Sequence, residues 1–249
     1  AAMSASGIYG DTRVAAGIVG TAGLDVGARI GEVLDEHLKL GGDRFRGIRL
    51  LGTNDPHPEI RNGYNDPPAD MFSSNGFREG YAELGKRDLT FEGWCFHHQI
   101  PLLTDLARDY PNITMILDHF GGPIGIGPYA DKQDEVFDLW RQNIADLAEC
   151  ENVVAKLGGI NMKVNGFNWH KNSKPPTSEE LCEETRRYYE HTIECFGVAR
   201  CMFESNFPVD KITCSYHTLW NSFKRLTEKY SADEKAKLYY DTAARVYRI

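Results

Sequence analysis

Short apolar runs alternate with helical patterns along nearly the whole chain, and this alternation limits the possible folds more than any other feature. Several runs are almost continuously apolar, which is typical of parallel strands covered on both faces. Regular strand–helix alternation predicts one parallel sheet with right-handed crossovers. The six strand-like runs occupy residues 13–19, 45–50, 89–96, 113–118, 153–159 and 201–206.

The segments between these runs carry apolar residues at helical spacing. Thr177 with Glu180, and Ser231 with Glu234, have the spacing of a capping box at the start of a helix. The pattern at 77–86 is weaker than the others. Helices are predicted over 25–40, 77–86, 101–110, 133–150, 177–196 and 215–230, and from Ser231 to the end.

Two architectures suit this order of elements. One is a doubly wound sheet, and the other is a (β/α)8 barrel, which needs two more strand–helix units than the six found here. A length of 249 residues suits a single barrel domain.

The charge balance excludes some classes of partner. Lys and Arg total 28 against 36 for Asp and Glu, so the formal net charge is −8. Binding to nucleic acid or to an anionic membrane needs clustered basic residues. No run of 18 apolar residues and no secretory signal pattern is found. The six cysteines lack metal-site spacing, which indicates reduced thiols and a cytoplasmic location.

Three histidines follow predicted strands at their carboxyl ends. His97 and His98 end the third run, and His119 ends the fourth. Parallel α/β enzymes place their chemistry at these ends. An imidazole there can ligate a metal, transfer a proton or donate to an oxyanion. The alternative for His119 is a core histidine that bonds Asp118.

Charged residues inside strand runs also need a partner when buried. Arg46 and Arg49 are three apart, so alternation predicts that one points into a barrel and the other packs outward between helices. Lys156 allows the same two orientations. Glu204 or Asn206 could face a site from the end of the last run. His170 lies in a long aromatic loop that could cover a substrate or be ordinary surface.

Several strings in fixed order give the chain a resemblance to a known family. They resemble the amidohydrolase-related family, metal-dependent hydrolases with a TIM-barrel fold that include sugar lactonases and aromatic-acid decarboxylases. The resemblance covers nearly the whole chain. The strings are FRGIR, HHQIPLLTDLARDYPN, ILDHFGGP, VVAKLGG, RCMFESNFPVD and DTAARVYRI.

Two positions depart from the pattern of that family. The family's last-strand Asp, its usual general base, matches Asn206 here, whereas His119 matches the histidine of the D-H-x-G motif. The family's first strand carries an H-x-H pair of metal ligands, and no H-x-H occurs in this sequence. The resemblance therefore implies a single barrel domain over 1–249 that is N-terminally incomplete, with about six of eight units present.

The resemblance implies hydrolysis of a lactone or a similar small carboxylated substrate. A non-oxidative decarboxylase, or an inactive barrel remnant with a binding role, are the alternatives. The expected partners are a small-molecule substrate and a second copy in a homodimer, with no nucleic acid and no membrane. Catalytic roles fall to His119 and Asn206, and substrate binding to Arg49, His97, His98 and His170.

A divalent metal, with zinc favoured, is the cofactor that the resemblance implies. His119 is the candidate ligand. Catalytic zinc normally needs three protein ligands, so the lack of H-x-H makes metal binding by this chain alone doubtful.

Overall fold

Six parallel strands form one sheet in the computed structural model, which describes residues 6–8, 10, 11 and 13–249. Their order in the sheet follows the chain, so that each strand pairs with the next to build an open half-barrel of the TIM-barrel type. All six predicted strands are confirmed, although the first starts at Ile18 and residues 13–17 form turns. The strands are β1 (Ile18–Gly20), β2 (Phe45–Leu51), β3 (Thr90–Trp94), β4 (Met115–Leu117), β5 (Val153–Leu157) and β6 (Cys201–Phe203).

Helices cover the outer face of the sheet, and every predicted helix is present. Thr177 and Ser231 each accept a hydrogen bond from the backbone N–H three residues later, as the capping boxes predicted. The helices of the described chain are α1 (Ile30–Gly41), α2 (Asn75–Gly85), α3 (Ile100–Asp109), α4 (Gln133–Ala148), α5 (Ser178–Phe196), α6 (Tyr216–Leu226), α7 (Ala232–Ala236) and α8 (Thr242–Tyr247).

The two faces of the sheet differ in chemistry because successive strand residues point to opposite sides. The outward face is apolar and packs under the helices, with Phe91, Met115 and Val153 buried in the main core. The register aligns Arg49 with Glu92 across β2 and β3. The inner face therefore carries the charges.

The last helix packs against the inner face of the sheet. Val246 in α8 joins Ile116, Val154 and Met202 in a small separate apolar cluster. The Tyr247 hydroxyl donates to Glu92 Oε1 at 2.5 Å. This helix thus supplies the cover for apolar residues at the amino-terminal end of the half-barrel.

A bulge at Arg46 corrects the prediction that Arg46 and Arg49 lie on opposite faces of the strand. Ile18 pairs with Phe45 and Val19 with Gly47, so Arg46 is an extra residue that breaks the alternation. Its guanidinium donates to the carbonyl oxygens of Tyr247 and Arg248 at the end of α8. Arg46 therefore bonds the C-terminal segment and does not pack outward between the outer helices.

Two further sequence predictions can be compared with the structure. All six cysteines are free, as expected for reduced thiols. Among the helices that the structure describes, none is both long enough and apolar enough to cross a bilayer.

Candidate active site at the carboxyl edge

His119 lies at the carboxyl end of β4, where the fold predicts chemistry. It is 3% exposed and has a positive φ of 51°. Its ring makes an edge contact with Trp94, with 5.4 Å between centroids. Gly159 lies against the imidazole, at a position where any Cβ would collide with the ring. Local strain and a glycine-lined approach both fix the orientation of this imidazole.

Arg49 extends from the inner face of β2 to the same place. Its Nε donates to Asp118 Oδ2 at 2.5 Å, and its Nη2 lies 2.7 Å from His119 Nε2. The Asp118 side chain is fully buried, whereas the Arg49 side chain keeps 36% of its surface exposed. Arg49 is therefore anchored on one side and open to a ligand on the other.

Glu204, at the end of β6, holds the other nitrogen of the imidazole. Its Oε1 lies 2.6 Å from His119 Nδ1. Burial alone would lower the pKa of His119, but the carboxylates of Glu204 and Asp118 raise it above the ordinary value, against the opposing charge of Arg49. Burial likewise would raise the pKa of Glu204, whereas the His119 imidazolium lowers it. Glu204 thus favours a proton on Nδ1, whereas Nε2 accepts from Arg49 at 2.7 Å, because a guanidinium can only donate.

Lys156 lies on the inner face of the sheet, where its ammonium group contacts three carboxylates. Its Nζ lies 2.6 Å from Glu92, 3.3 Å from Asp118 and 3.9 Å from Glu204. Burial would lower the pKa of Lys156, but the Asp118 and Glu92 carboxylates raise it well above the ordinary value. Of its two predicted orientations, the inward one is correct. Sequence reasoning missed Glu92, although it and Lys156 are both charged residues inside strand runs.

Asn206 lies two residues beyond Glu204 and also has a positive φ, of 51°. Its Nδ2 donates to Asp210 Oδ1 at 2.9 Å. Asp210 is completely buried, and burial raises its pKa to about 7. The sequence identified Asn206 but not Asp210, because the two meet only when the turn after β6 folds back.

His97 and His98 belong to a second cluster, on the loops beyond β2, β3 and β4. His97 is 2% exposed, and burial lowers its pKa to about 4. Asp55 is the centre of this cluster: it accepts from the Tyr129 hydroxyl at 2.8 Å and lies 2.8 Å from His57 Nδ1. His98 Nδ1 is 3.9 Å from Asp55 Oδ2. A cavity shared by these histidines and His119 stays a prediction.

His170 occupies a third region, where it lies half-buried on the turn Trp169–Lys171. The adjacent cleft of about 600 Å³ is lined by residues that include Phe167, Trp169 and Arg187. Neither His119 nor Asn206 lines it. A covering role for His170 therefore stays a prediction.

The residues present do not by themselves form a metal centre. Within the described ranges, no group of three or more His, Cys, Asp and Glu side chains could hold an ion. One imidazole nitrogen of His119 faces Glu204 and the other lies beside the cationic Arg49. A closed zinc site needs three or four converging donors, so the metal expected at His119 lacks its partners here.

Two curated proteins resemble this chain over most of its length. Protein y4mH of Sinorhizobium fredii, which carries no assigned activity, is 36% identical over 88% of this chain. L-fucono-1,5-lactonase of Burkholderia multivorans is 27% identical over 70% of it. The chain spans only 66% and 56%, respectively, of the lengths of these proteins.

A solved structure and a family model extend the comparison to the fold. An amidohydrolase from Burkholderia multivorans, solved with bound zinc, matches with a TM-score of 0.76 at 22% identity. The match covers 100% of this chain and 78% of that protein. The family model described as Amidohydrolase matches residues 12–249. Since that match covers nearly the entire sequence, including all six strands, the chain belongs to the amidohydrolase family.

Proposed function

We propose that this chain is the larger part of a hydrolase that opens a lactone or a similar small carboxylated ester. The observation that carries the proposal is the contact of 2.7 Å between Arg49 and His119 at the carboxyl edge. Each of the two is held by a buried or half-buried carboxylate. The similarity to L-fucono-1,5-lactonase supports a lactone as the substrate class.

The chemistry follows from the charge at this edge. Attack of water on a lactone carbonyl places negative charge on the carbonyl oxygen, and preorganised donors stabilise it. The guanidinium of Arg49 supplies such donors, and the imidazole of His119 holds that guanidinium by accepting from its Nη2. The exposed part of Arg49 also suits a substrate carboxylate, which a guanidinium binds with two parallel hydrogen bonds.

Neighbouring carboxylates keep these donors in place. Asp118 contacts both Arg49 and Lys156, and Glu204 contacts His119. Because these ion pairs are largely buried, the donors do not need to reorganise when the oxyanion forms. Asn206 is then available to bind water or substrate through its amide, but it cannot accept a proton as a carboxylate does.

Turnover of a panel of lactones with and without a free carboxylate, followed by acid release, tests this function. Arg49→Lys keeps the charge but loses the planar fork, so KM should rise by about tenfold or more, the effect of about 1.5–3 kcal/mol for a charge-assisted hydrogen bond. Arg108→Lys, at a half-exposed ion pair on α3, is the matched control. Melting curves of all variants separate loss of binding from loss of folding.

The same panel distinguishes the competing functions. Release of carbon dioxide from aromatic or unsaturated acids, without lactone opening, would favour the decarboxylase. Ligand binding without any turnover would favour a barrel with a binding role. Unchanged kinetics in a folded Arg49→Lys variant would remove Arg49 from the proposed site.

A further inference from the structure

Asn206 and Asp210 form a closed turn immediately after β6. The side-chain bond from Asn206 Nδ2 to Asp210 Oδ1 is 2.9 Å long, and the Asp210 backbone N–H donates to the Asn206 carbonyl at 3.1 Å. Within the described chain, the second carboxyl oxygen of Asp210 is buried and has no hydrogen-bond partner. The turn therefore holds the Asp210 carboxyl group by Oδ1 and leaves Oδ2 free to carry a proton.

The other three carboxylates of the candidate site differ from Asp210 in one respect. Each lies within 4 Å of a cation, which favours its ionised form. Asp210 faces a neutral amide, and no salt bridge to it occurs among the residues that the structure describes. The other pairings are Asp118 with Arg49 and Lys156, Glu204 with His119, and Glu92 with Lys156.

We propose that Asp210 is the proton-accepting carboxylate of this site, acting beside Asn206, whose amide has no titratable group. The inference rests on the hydrolase proposed above for its reaction. It assigns the base of that reaction to a residue four positions after the end-of-strand asparagine.

The proton balance is simple. One O–H bond of water breaks, its proton passes to Oδ2 of ionised Asp210, and the oxygen forms a bond to the lactone carbonyl carbon. The carbonyl π electrons move to the oxygen beside Arg49 and His119. When the ring C–O bond breaks, the proton on Asp210 passes to the departing alkoxide, and the carboxylate is restored.

The charges around Asp210 allow its carboxyl group to gain and lose a proton near neutral pH. Burial raises the pKa of Asp210 to about 7, while the bond from Asn206 and the positive charge of His119 oppose the rise. Glu204 raises the pKa further. Tyr189 on α5 and Cys214 also interact electrostatically with it, and their own pKa values are raised by burial and by Asp210.

The first test does not need a substrate. Carboxyl-carbon NMR of the whole chain, with aspartate labelled, should show one resonance that titrates near pH 7 and is absent in Asp210→Asn. Asn206→Asp should move that titration to higher pH, because it places a like charge beside Asp210. Asp138→Asn, at an exposed ion pair on α4, should leave the resonance in place. A resonance that titrates at the ordinary aspartate value would overturn the proposal.

The second test uses lactone turnover. Wild-type kcat should rise with pH through about 7, because only ionised Asp210 accepts the proton. Asp210→Asn should lower kcat about a hundredfold or more and abolish that rise, with a smaller effect on KM. A folded variant that keeps the inflection at the same pH would show a structural role and overturn the proposal.

The two tests separate the two ideas. If the wild-type chain opens no lactone but shows the Asp210 titration, the proposed lactonase activity is wrong and the assignment of Asp210 as a proton acceptor stands. If the chain opens lactones but Asp210 does not titrate near pH 7, the hydrolase proposal stands and the role of Asp210 is wrong. The double change Asn206→Asp with Asp210→Asn moves the carboxylate back to the strand end, and it should restore part of the activity that Asp210→Asn loses.

Discussion

Lys156 and Glu92 form a buried ion pair across the inner face of the half-barrel, with 2.6 Å between Nζ and Oε2. They belong to β5 and β3, and β4 runs between them. Their side chains are 14% and 3% exposed. Two strands that do not pair directly are thus tied together by charge at the centre of the sheet.

Removal of the cation from this pair should destabilise the fold strongly. Lys156→Met leaves Glu92 and Asp118 buried without it, so we expect a loss of about 3–5 kcal/mol in the free energy of unfolding. Denaturant titration measures this. Adding Glu92→Gln should recover part of the loss, because fewer uncompensated charges remain. Lys39→Met, at an exposed pair with Glu36, is the control and should change stability little.

The charge of His119 should make stability depend on pH. Its pKa in the folded state lies above the ordinary value of 6.5, after the carboxylates overcome the effect of burial. A histidine whose pKa is higher in the folded than in the unfolded state stabilises the fold fully at any pH below its unfolded pKa. This stabilisation is lost as the pH rises through the pKa of the folded state.

His119→Gln should therefore destabilise the chain most below about pH 6.5 and progressively less above it. Unfolding free energies measured from acid to alkaline pH give the difference curve. His217→Gln, at an exposed position on α6, is the control, and its curve should follow wild type. A difference that grows with rising pH would contradict the contact with Glu204.

The capping box at the start of α5 should contribute measurably to stability. Thr177 Oγ1 accepts from the Glu180 N–H at 3.2 Å, and the Thr177 N–H donates to Glu180 Oε2 at 2.7 Å. Thr177→Ala should cost about 1 kcal/mol in chemical denaturation. Thr177→Ser keeps the hydroxyl and should cost much less. Equal losses in both variants would assign the effect to the threonine methyl group.

The two borders of the sheet should promote association of the isolated chain. In the described sheet, β1 and β6 each pair with one strand only. Unpaired backbone groups at such an edge recruit other chains, so dimers or larger aggregates are expected. Light scattering over a dilution series tests this. A monodisperse monomer with a cooperative melt would show that the edges are covered within one molecule.

Much of the architecture was predictable because strand and helix signals are local. Six apolar runs gave six parallel strands, and chain order then placed His119 at the carboxyl edge. Arg49 was identified by its place in a strand run, but the prediction that one of Arg46 and Arg49 packs outward between helices was wrong. The reason is that a bulge inserts one residue at Arg46, and the adjacent Gly47 is the only local sign of it in the strand run.

The sequence by itself determined the alternating elements, the carboxyl-edge histidine and the missing carboxylate at position 206. Only the tertiary structure decided which charges meet. Lys156 and Glu92 are 64 residues apart, and Tyr247 reaches Glu92 across 155. Such pairings depend on sheet register and on how the last helix packs, since the energy of a buried charge is set by its neighbours in space. The periodicity of apolar residues along the chain does not indicate which residues those neighbours are.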